Sequence, residues 1–361
     1  MSAAKLALLG TGNVGRAVLA RLDRWDGRGP GERLQLAAVA NTRSVRLFAG
    51  SGAALCAHDG DQAQAAVRAL GGHGARIVLD ATASDAVAAR HAAWLASGIH
   101  VVTACKLGQG AGLERWRAIR EAAACTGTRY GDSATVGAGL PLLRTIRALR
   151  DGGDRIHGIA GVLSGSLAWL LARHDGLRPF EDLVDEARAL GYTEPDPRQD
   201  LSGEDVRRKL LILARAAGVA LAPGDVEVRP LDAATLGEAH AQACAGSGSG
   251  GGPGVLRYVA RLECRDGGRV SARVGLEVLS AADPLASGTG TDNRVAIHSD
   301  RYPLQPLLIQ GPGAGADVTA AALLDDALGI AAEVANYAAG TVASRASAAR
   351  YAGSGWGWSM A

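Results

Sequence analysis

The chain has 361 residues with a formal net charge of +2; 48% of them are hydrophobic, 20% charged and only 4% aromatic. That length holds two or three domains with sizeable cores. The near-neutral charge, with no basic stripe interleaved with aromatics, excludes a polyanionic partner such as nucleic acid, and no apolar run approaches the roughly 20 residues of a membrane helix. The five cysteines, Cys56, Cys105, Cys125, Cys244 and Cys264, are odd in number and scattered. They read as reduced thiols of a cytoplasmic protein rather than a disulfide framework or a zinc site. The chain is expected to enter its first strand almost at once, which leaves no room for a signal peptide.

In chain order, Lys5-Leu6-Ala7-Leu8-Leu9 is a short apolar run, the pattern of a buried parallel strand. Gly10-Thr11-Gly12-Asn13-Val14-Gly15 follows directly, and 16–21 read as helix. A G-x-G-x-x-G turn between a strand and a helix brings the backbone close to a pyrophosphate at the positive end of that helix, so a dinucleotide is the expected ligand. The second strand, 34–40, ends in Asn41-Thr42-Arg43-Ser44 with no acid for a ribose hydroxyl. Arg43 suits a 2′-phosphate, which favours NADP over NAD. Further strands are expected at 77–82, ending in Thr82, and at 100–103, ending in Thr103, with a helix at 85–97 between them. Cys105 and Lys106 then sit where ligands bind a doubly wound sheet. A helix over 113–125, a strand near 128–130 and a glycine-rich turn at 132–141 into a helix ending near 150 close this domain.

The second half opens with a strand-like run at 155–163. Ser164-Gly165-Ser166 then enters a helix, a start that suits a carboxylate or serves as a plain cap. Residues 246–254 are a low-complexity Gly/Ser segment, read as a mobile loop. Strand-like segments at 255–263, 270–278 and 293–298 predict an antiparallel sheet. The run 311–316, with Gly315, precedes a long helix, 319–336, which predicts a return to the dinucleotide. Overall, an α/β fold is expected: a Rossmann-type doubly wound parallel sheet (1–140, with 311–345 returning to it) plus an α+β catalytic and dimerisation domain (141–310), and a loose tail at 346–361.

Between these parts lies 191–209, which crowds five carboxylates, Glu194, Asp196, Asp200, Glu204 and Asp205, and one lysine into a loop and a helix start. The chain has only three lysines, Lys5, Lys106 and Lys209, among 38 basic residues. Arginine cannot release its proton in a protein, whereas a part-buried lysine can. A lysine kept in so arginine-rich a chain marks a place where permanent charge would not serve. Asp205 and Lys209 are four apart, hence on one helix face, sharing a stripe with Ile212 and Ala216. The core stripe is Val206, Leu210, Leu213 and Ala217, and Arg207, Arg208 and Arg215 fall on the solvent side. Ser202 and Asp205 have capping-box spacing, and Pro195 and Pro197 predict a stiff, extended approach. The bland alternative is an ordinary surface ion pair between Asp205 and Lys209.

The run from Gly191 to Lys209 resembles the signature of homoserine dehydrogenases, G-Y-T-E-P-D-P-R-x-D-L-x-G-x-D-x-x-x-K. The resemblance covers nearly the whole chain, including 10–15, 101–106, 135–141, 164–166 and 311–319. It is to the dehydrogenase portion of the fused aspartokinase–homoserine dehydrogenases, here expected without a kinase or regulatory segment. It implies NAD(P)-linked interconversion of L-aspartate 4-semialdehyde and L-homoserine, on the way to threonine and methionine, by a homodimer whose interface would lie in 255–298. By resemblance, Lys209 donates the proton, Lys106 polarises the reacting oxygen between nicotinamide and substrate, and Asp205 holds Lys209. Glu194 binds the substrate ammonium, with Tyr192, Asp200 and Ser166 nearby. Backbone carbonyls of Ser133, Val136, Ala138 and Leu140 would bind a structural sodium ion. Cys105 stands where the family usually carries Asn, Gln199 replaces a usual Asp, and Ser133 replaces a frequent acid. A Rossmann enzyme for another amino acid or a sugar, and a cofactor-binding sensor without activity, are the competing readings.

Overall fold

In the computed structural model the described residues are 3–352, apart from 50–51, 57–59, 73, 194–195, 246–253 and 289. The first half comprises β1 (Ala4–Leu9), α1 (Asn13–Trp25), β2 (Leu34–Ala40), β3 (Val45–Ala49), β4 (Gly52–Cys56), α2 (Gln62–Arg68), β5 (Arg76–Asp80), α3 (Asp85–Ala88), α4 (His91–Ala96), β6 (His100–Thr103), α5 (Lys106–Gln109), α6 (Leu113–Thr126) and β7 (Tyr130–Gly131). These strands form one sheet in the order β4-β3-β2-β1-β5-β6-β7, parallel from β2 to β7. The alternation of β1 explains its burial on both faces. Leu6 and Leu8 face a core with Val18 of α1, while Ala7 and Leu9 face a second core with Val67 of α2 and Leu95 of α4. Such two-sided burial is why the strand reads as an unbroken apolar run.

Two features depart from expectation. Asn41 Oδ1 accepts from the Arg43 and Ser44 backbone N–H groups at 2.8 and 2.9 Å. This turn reverses the chain, so Val45 pairs back on Ala40 and β3 and β4 add an antiparallel edge. The helix expected over 85–97 is two pieces, α3 and α4, separated by Ala89 and Arg90.

The second half contains α7 (Leu142–Asp151), β8 (Ile156–Val162), α8 (Gly165–Arg173), α9 (Phe180–Ala189), α10 (Pro197–Leu201), α11 (Glu204–Ala216), β9 (Val226–Val228), α12 (Ala233–Cys244), β10 (Val255–Cys264), β11 (Val270–Leu279), β12 (Asp292–Ser299), β13 (Leu307–Pro312) and α13 (Ala316–Ala352). Its sheet runs β13-β12-β8-β10-β11-β9, antiparallel except where β9 joins β11. One face packs on the helices in a core that includes Ile159, Leu167, Leu210, Leu213, Tyr258 and Val295. α13 returns to the first sheet: Ala320, Leu323, Leu324, Ala327 and Ile330 share the core of Leu6 and Val18. Its backbone stays helical to Ala352, into the stretch read as a loose tail; 353–361 and most of the Gly/Ser run lie outside the described residues.

Candidate active site

The glycine turn comes first. Gly10 has φ +96°, and a Cβ there would lie 2.8 Å from the Ala81 carbonyl oxygen. A Cβ on Gly15 would lie 2.0 Å from the Gly10 oxygen, so the helix can approach the strand only without it. A Cβ on Gly12 would meet nothing, and Gly12 caps α1 with no side chain over the helix end. The leading N–H groups of α1 therefore face open space, which fits a pyrophosphate. Thr11 Oγ1 accepts from Asn41 Nδ2 at 3.2 Å, joining the two nucleotide loops. Asn13 accepts from Arg16, and Val14 packs against the α1 core. Arg43 is exposed beside this turn. A groove of about 700 Å³ lined by Thr11, Asn41, Ser44 and Arg46 runs from here along Leu22 and Phe48. Gly315, at φ +129°, brings the chain into α13, whose Thr319 donates to the Gly315 carbonyl at 2.7 Å.

The lysines converge elsewhere on the same sheet edge. Lys106 opens α5 just past β6, and Lys209 projects from α11. Asp205 lies between them, its Oδ2 2.8 Å from Lys209 Nζ and its Oδ1 3.4 Å from Lys106 Nζ. Lys209 also donates to the Leu163 carbonyl at 2.7 Å, and its side chain is only 13% exposed. Burial pulls the Lys209 ammonium below its ordinary range, with Lys106 adding to this and Asp205 and Asp200 opposing it. Burial opposes ionisation of Asp205, but Lys209 and Lys106 outweigh it and hold the carboxyl far below the usual range. Lys209 is nearly enclosed, whereas Asp205 is 45% exposed and Lys106 32%, so the group opens to solvent on the carboxylate's side. Two amines share one carboxylate beside the dinucleotide turn's own sheet.

The start of α11 differs from the expected capping box. Its N-cap is Gly203 at φ +75°, where a Cβ would strike Tyr258 Oη at 2.2 Å. Ser202 Oγ instead donates to the Gln199 carbonyl at 2.8 Å, and Asp205 is drawn to the lysines. Nor is the approach extended throughout: Asp196 caps α10, where Pro197 takes the first helical position. Glu194 and Pro195 lie outside the described residues. Beside this helix, Ser166 Oγ donates to Asp200 Oδ1 at 3.0 Å, and Ser164 caps α8. Tyr192 stacks on Trp169 at 5.0 Å, and Arg173 covers Trp169 at 4.0 Å.

A second group of residues behind the lysines was not foreseen. Asp80 ends β5, fully buried. Its carboxylate accepts from Thr82 N and Oγ1 at 2.9 and 2.6 Å and from Thr103 Oγ1 at 3.1 Å. His91 Nε2 lies 3.0 Å from Asp80 and Nδ1 2.9 Å from Tyr130 Oη. A proton on Nε2 lets His91 donate to Asp80 and accept from Tyr130, so every member is satisfied. Thr103 Oγ1 in turn accepts from Cys105 N at 2.8 Å. Thr82 and Thr103 thus give their hydroxyl protons to Asp80, and the backbone just before Lys106 is tied to this network through Cys105 N. The Cys105 thiol is buried, and burial, with Asp80 adding, pushes it up to about 11, so it stays a protonated, unreactive thiol. Only the strand-end position of these residues hinted at the network, since its partners are far apart in sequence.

Arg215 is the clearest correction. It was placed on the solvent side of α11 but is 2% exposed. The helix is enclosed on all sides from Leu210 to Ala216, so its wheel has no free face there.

In the glycine-rich turn, Ser133 donates to Asp326 through N and Oγ at 3.0 and 2.8 Å. Gly137 and Ala138 follow with φ +74° and +51°, and the Leu140 carbonyl accepts from Leu142 N at 2.8 Å. Among the described residues no group of His, Cys, Asp and Glu could hold a metal ion.

Comparison with known proteins decides the family. Residues 10–131 match a family model described as the homoserine dehydrogenase NAD-binding domain, and 141–328 match one described as homoserine dehydrogenase. The chain belongs to the homoserine dehydrogenase family. It is 43% identical over 265 residues to the bifunctional aspartokinase/homoserine dehydrogenase 2 of Escherichia coli strain K12, a match covering 69% of this chain and 32% of that protein. It is 37% identical over 279 residues to a homoserine dehydrogenase of Emericella nidulans, covering 71% of this chain and 75% of that one. The chain thus spans about a third of the fused relative. Among solved structures, a putative homoserine dehydrogenase from Archaeoglobus fulgidus superposes with a TM-score of 0.75 at 27% identity, covering 91% of this chain and 99% of that one. A hyperthermophilic archaeal family member in complex with NADPH shares the fold, with a TM-score of 0.70 at 22% identity, over 90% of this chain and 96% of that one.

Proposed function

We propose that this chain catalyses the NAD(P)-linked interconversion of L-aspartate 4-semialdehyde and L-homoserine. The observation that carries the reading is the convergence of two of the chain's three lysines on one carboxylate at the edge of the nucleotide sheet. When bound, the nicotinamide supplies or takes the hydride. Lys209 gives a proton to the carbonyl oxygen in reduction and takes it back in oxidation. Burial suits it to both, because it lowers the cost of the neutral amine. Lys106 supplies a positive charge where negative charge develops on the reacting oxygen. Asp205 holds both amines. The Leu163 carbonyl fixes the direction of Lys209. The substrate's ammonium calls for carboxylates, and Asp200 and Glu194 are the groups assigned to it, with Ser166 and Tyr192 completing that end.

Arg43 at the end of β2, with no acid beside it, supports NADP over NAD. Carbonyls of Ser133, Val136, Ala138 and Leu140 would hold a structural sodium ion. The left-handed Ala138, a rare conformation for a residue with Cβ, supports a loop braced by something outside itself. A homodimer through 255–298 is supported by the sheet's face away from the helices, where Arg261 and Glu277 pair at 2.6 Å. A biosynthetic role and scattered cysteines are compatible with the cytoplasm; among the described residues no helix is long and apolar enough to cross a membrane.

The test is homoserine oxidation at alkaline pH, run in parallel with NAD and NADP. Homoserine-dependent NADPH formation, faster than NADH formation, is the expected result. Turnover of a different hydroxy-amino acid but not homoserine would overturn the substrate, and cofactor binding with no turnover would favour a sensor.

A further inference from the structure

A buried guanidinium sits at the junction that brings the two lysines together. Arg215 lies six residues past Lys209 on α11. It donates through Nη1 to the carbonyl of Gln109, the last residue of α5. Through Nη2 and Nε it donates to the Leu221 carbonyl at 2.8 and 3.3 Å. Its guanidinium lies 5.6 Å from the ring centre of buried Trp116 on α6. Desolvation is what acts on its ionisation, pulling the guanidinium down to about 10, and among the described residues no carboxylate opposes it. Burying a cation without a counter-charge is costly. Here carbonyls and a ring face are its partners, and they belong to α5, α6 and the loop that follows α11.

The second contact at this junction is as tight. A Cβ on Gly110 would lie 2.8 Å from the Lys106 carbonyl oxygen and 2.9 Å from that of Arg208. The single turn of α5 therefore rests directly on α11, with Lys106 at its first residue and Gln109, gripped by Arg215, at its last. Arginine suits this task because its fork reaches two carbonyls at once, whereas a lysine ammonium is a point donor.

We infer that Arg215 is a positioning residue that holds the α5 turn against α11 and so sets the separation of Lys106 from Asp205 and Lys209. This rests on the reading of those lysines as the reacting groups. The charged groups around Lys209 are Asp205 on its own helix, Lys106 on α5 and Asp200 on α10. If α5 recedes, Lys209 loses the repulsion of Lys106 and holds its proton to higher pH.

Having only three lysines makes this directly measurable. Lysine labelled with 13C at Cε gives one resonance per side chain, and each titration can be followed by NMR. In Arg215→Met the Lys209 midpoint is expected to rise by about half a pH unit or more. The kcat for homoserine oxidation is expected to fall at least roughly tenfold with little change in KM for the dinucleotide. Arg215→Lys should give an intermediate shift. Gly110→Ala pushes the same junction apart from the other side and should move Lys209 in the same direction, which keeps the test open if the Arg215→Met protein fails to fold. Folded variants with an unmoved Lys209 midpoint would overturn the inference, whatever their activity. Absence of homoserine turnover in the unmutated protein would instead remove the functional reading, while the NMR titration would still report on the junction.

Discussion

Lys209→Ala lowers homoserine turnover by roughly 10³-fold, about 4 kcal/mol of transition-state stabilisation, with the fold and dinucleotide binding retained. The side chain forms a bond to Asp205 and one to Leu163 and is not part of the apolar core. Truncation therefore removes the proton carrier without opening a cavity of consequence. Lys209→Arg is not expected to rescue oxidation, because a guanidinium keeps its proton and cannot act as the base. Steady-state kinetics in both directions, with a thermal melt as the folding control, measures this. A folded Lys209→Ala protein with normal turnover would remove the residue from the chemistry.

Asp205→Asn is expected to cost about 10²-fold in kcat and to move the pH profile. Asp205 is the only carboxylate within ion-pairing distance of both lysines among the described residues. Its charge favours the protonated form of Lys209. Without it the two amines face each other with only the weaker influence of Asp200 left on Lys209, so the Lys209 midpoint falls further. Oxidation requires the neutral amine, so its rate limb shifts to lower pH. Reduction requires the ammonium, so its alkaline limb also shifts down, and the lost anchor of Lys106 lowers the plateau in both. A shift to higher pH would contradict the arrangement.

Much of this site could be read before the fold was known, because the informative residues lie on regular elements with local signals. The glycine turn announces itself by strand, tight turn and helix, and the spacing of Asp205 and Lys209 puts them on one face whatever the tertiary context. The pairing of Lys106 with Asp205 joins residues 99 positions apart, and only the sheet edge rule pointed to it. The Asp80, His91 and Tyr130 network carries no periodic or spacing signal, since each member is an ordinary residue until the strands align. Arg215 was misplaced for a physical reason: a helical wheel assumes a solvent side, and α11 runs through the centre of its domain. The antiparallel β3–β4 edge was missed because its strands, 45–49 and 52–56, are only five residues each, too short to show a clear strand period, and the Asn41 turn that pairs them back onto β2 gives no signal of its own direction.

The most direct test of the shared lysine centre is a crystal structure with NADP and homoserine bound. The account predicts the substrate hydroxyl within roughly 3 Å of Lys209 Nζ, with Lys106 between the nicotinamide and the substrate and Asp205 still contacting both amines. A homoserine molecule bound away from these lysines, with Lys209 kept on Leu163 and Asp205 and no substrate oxygen in reach, would contradict it.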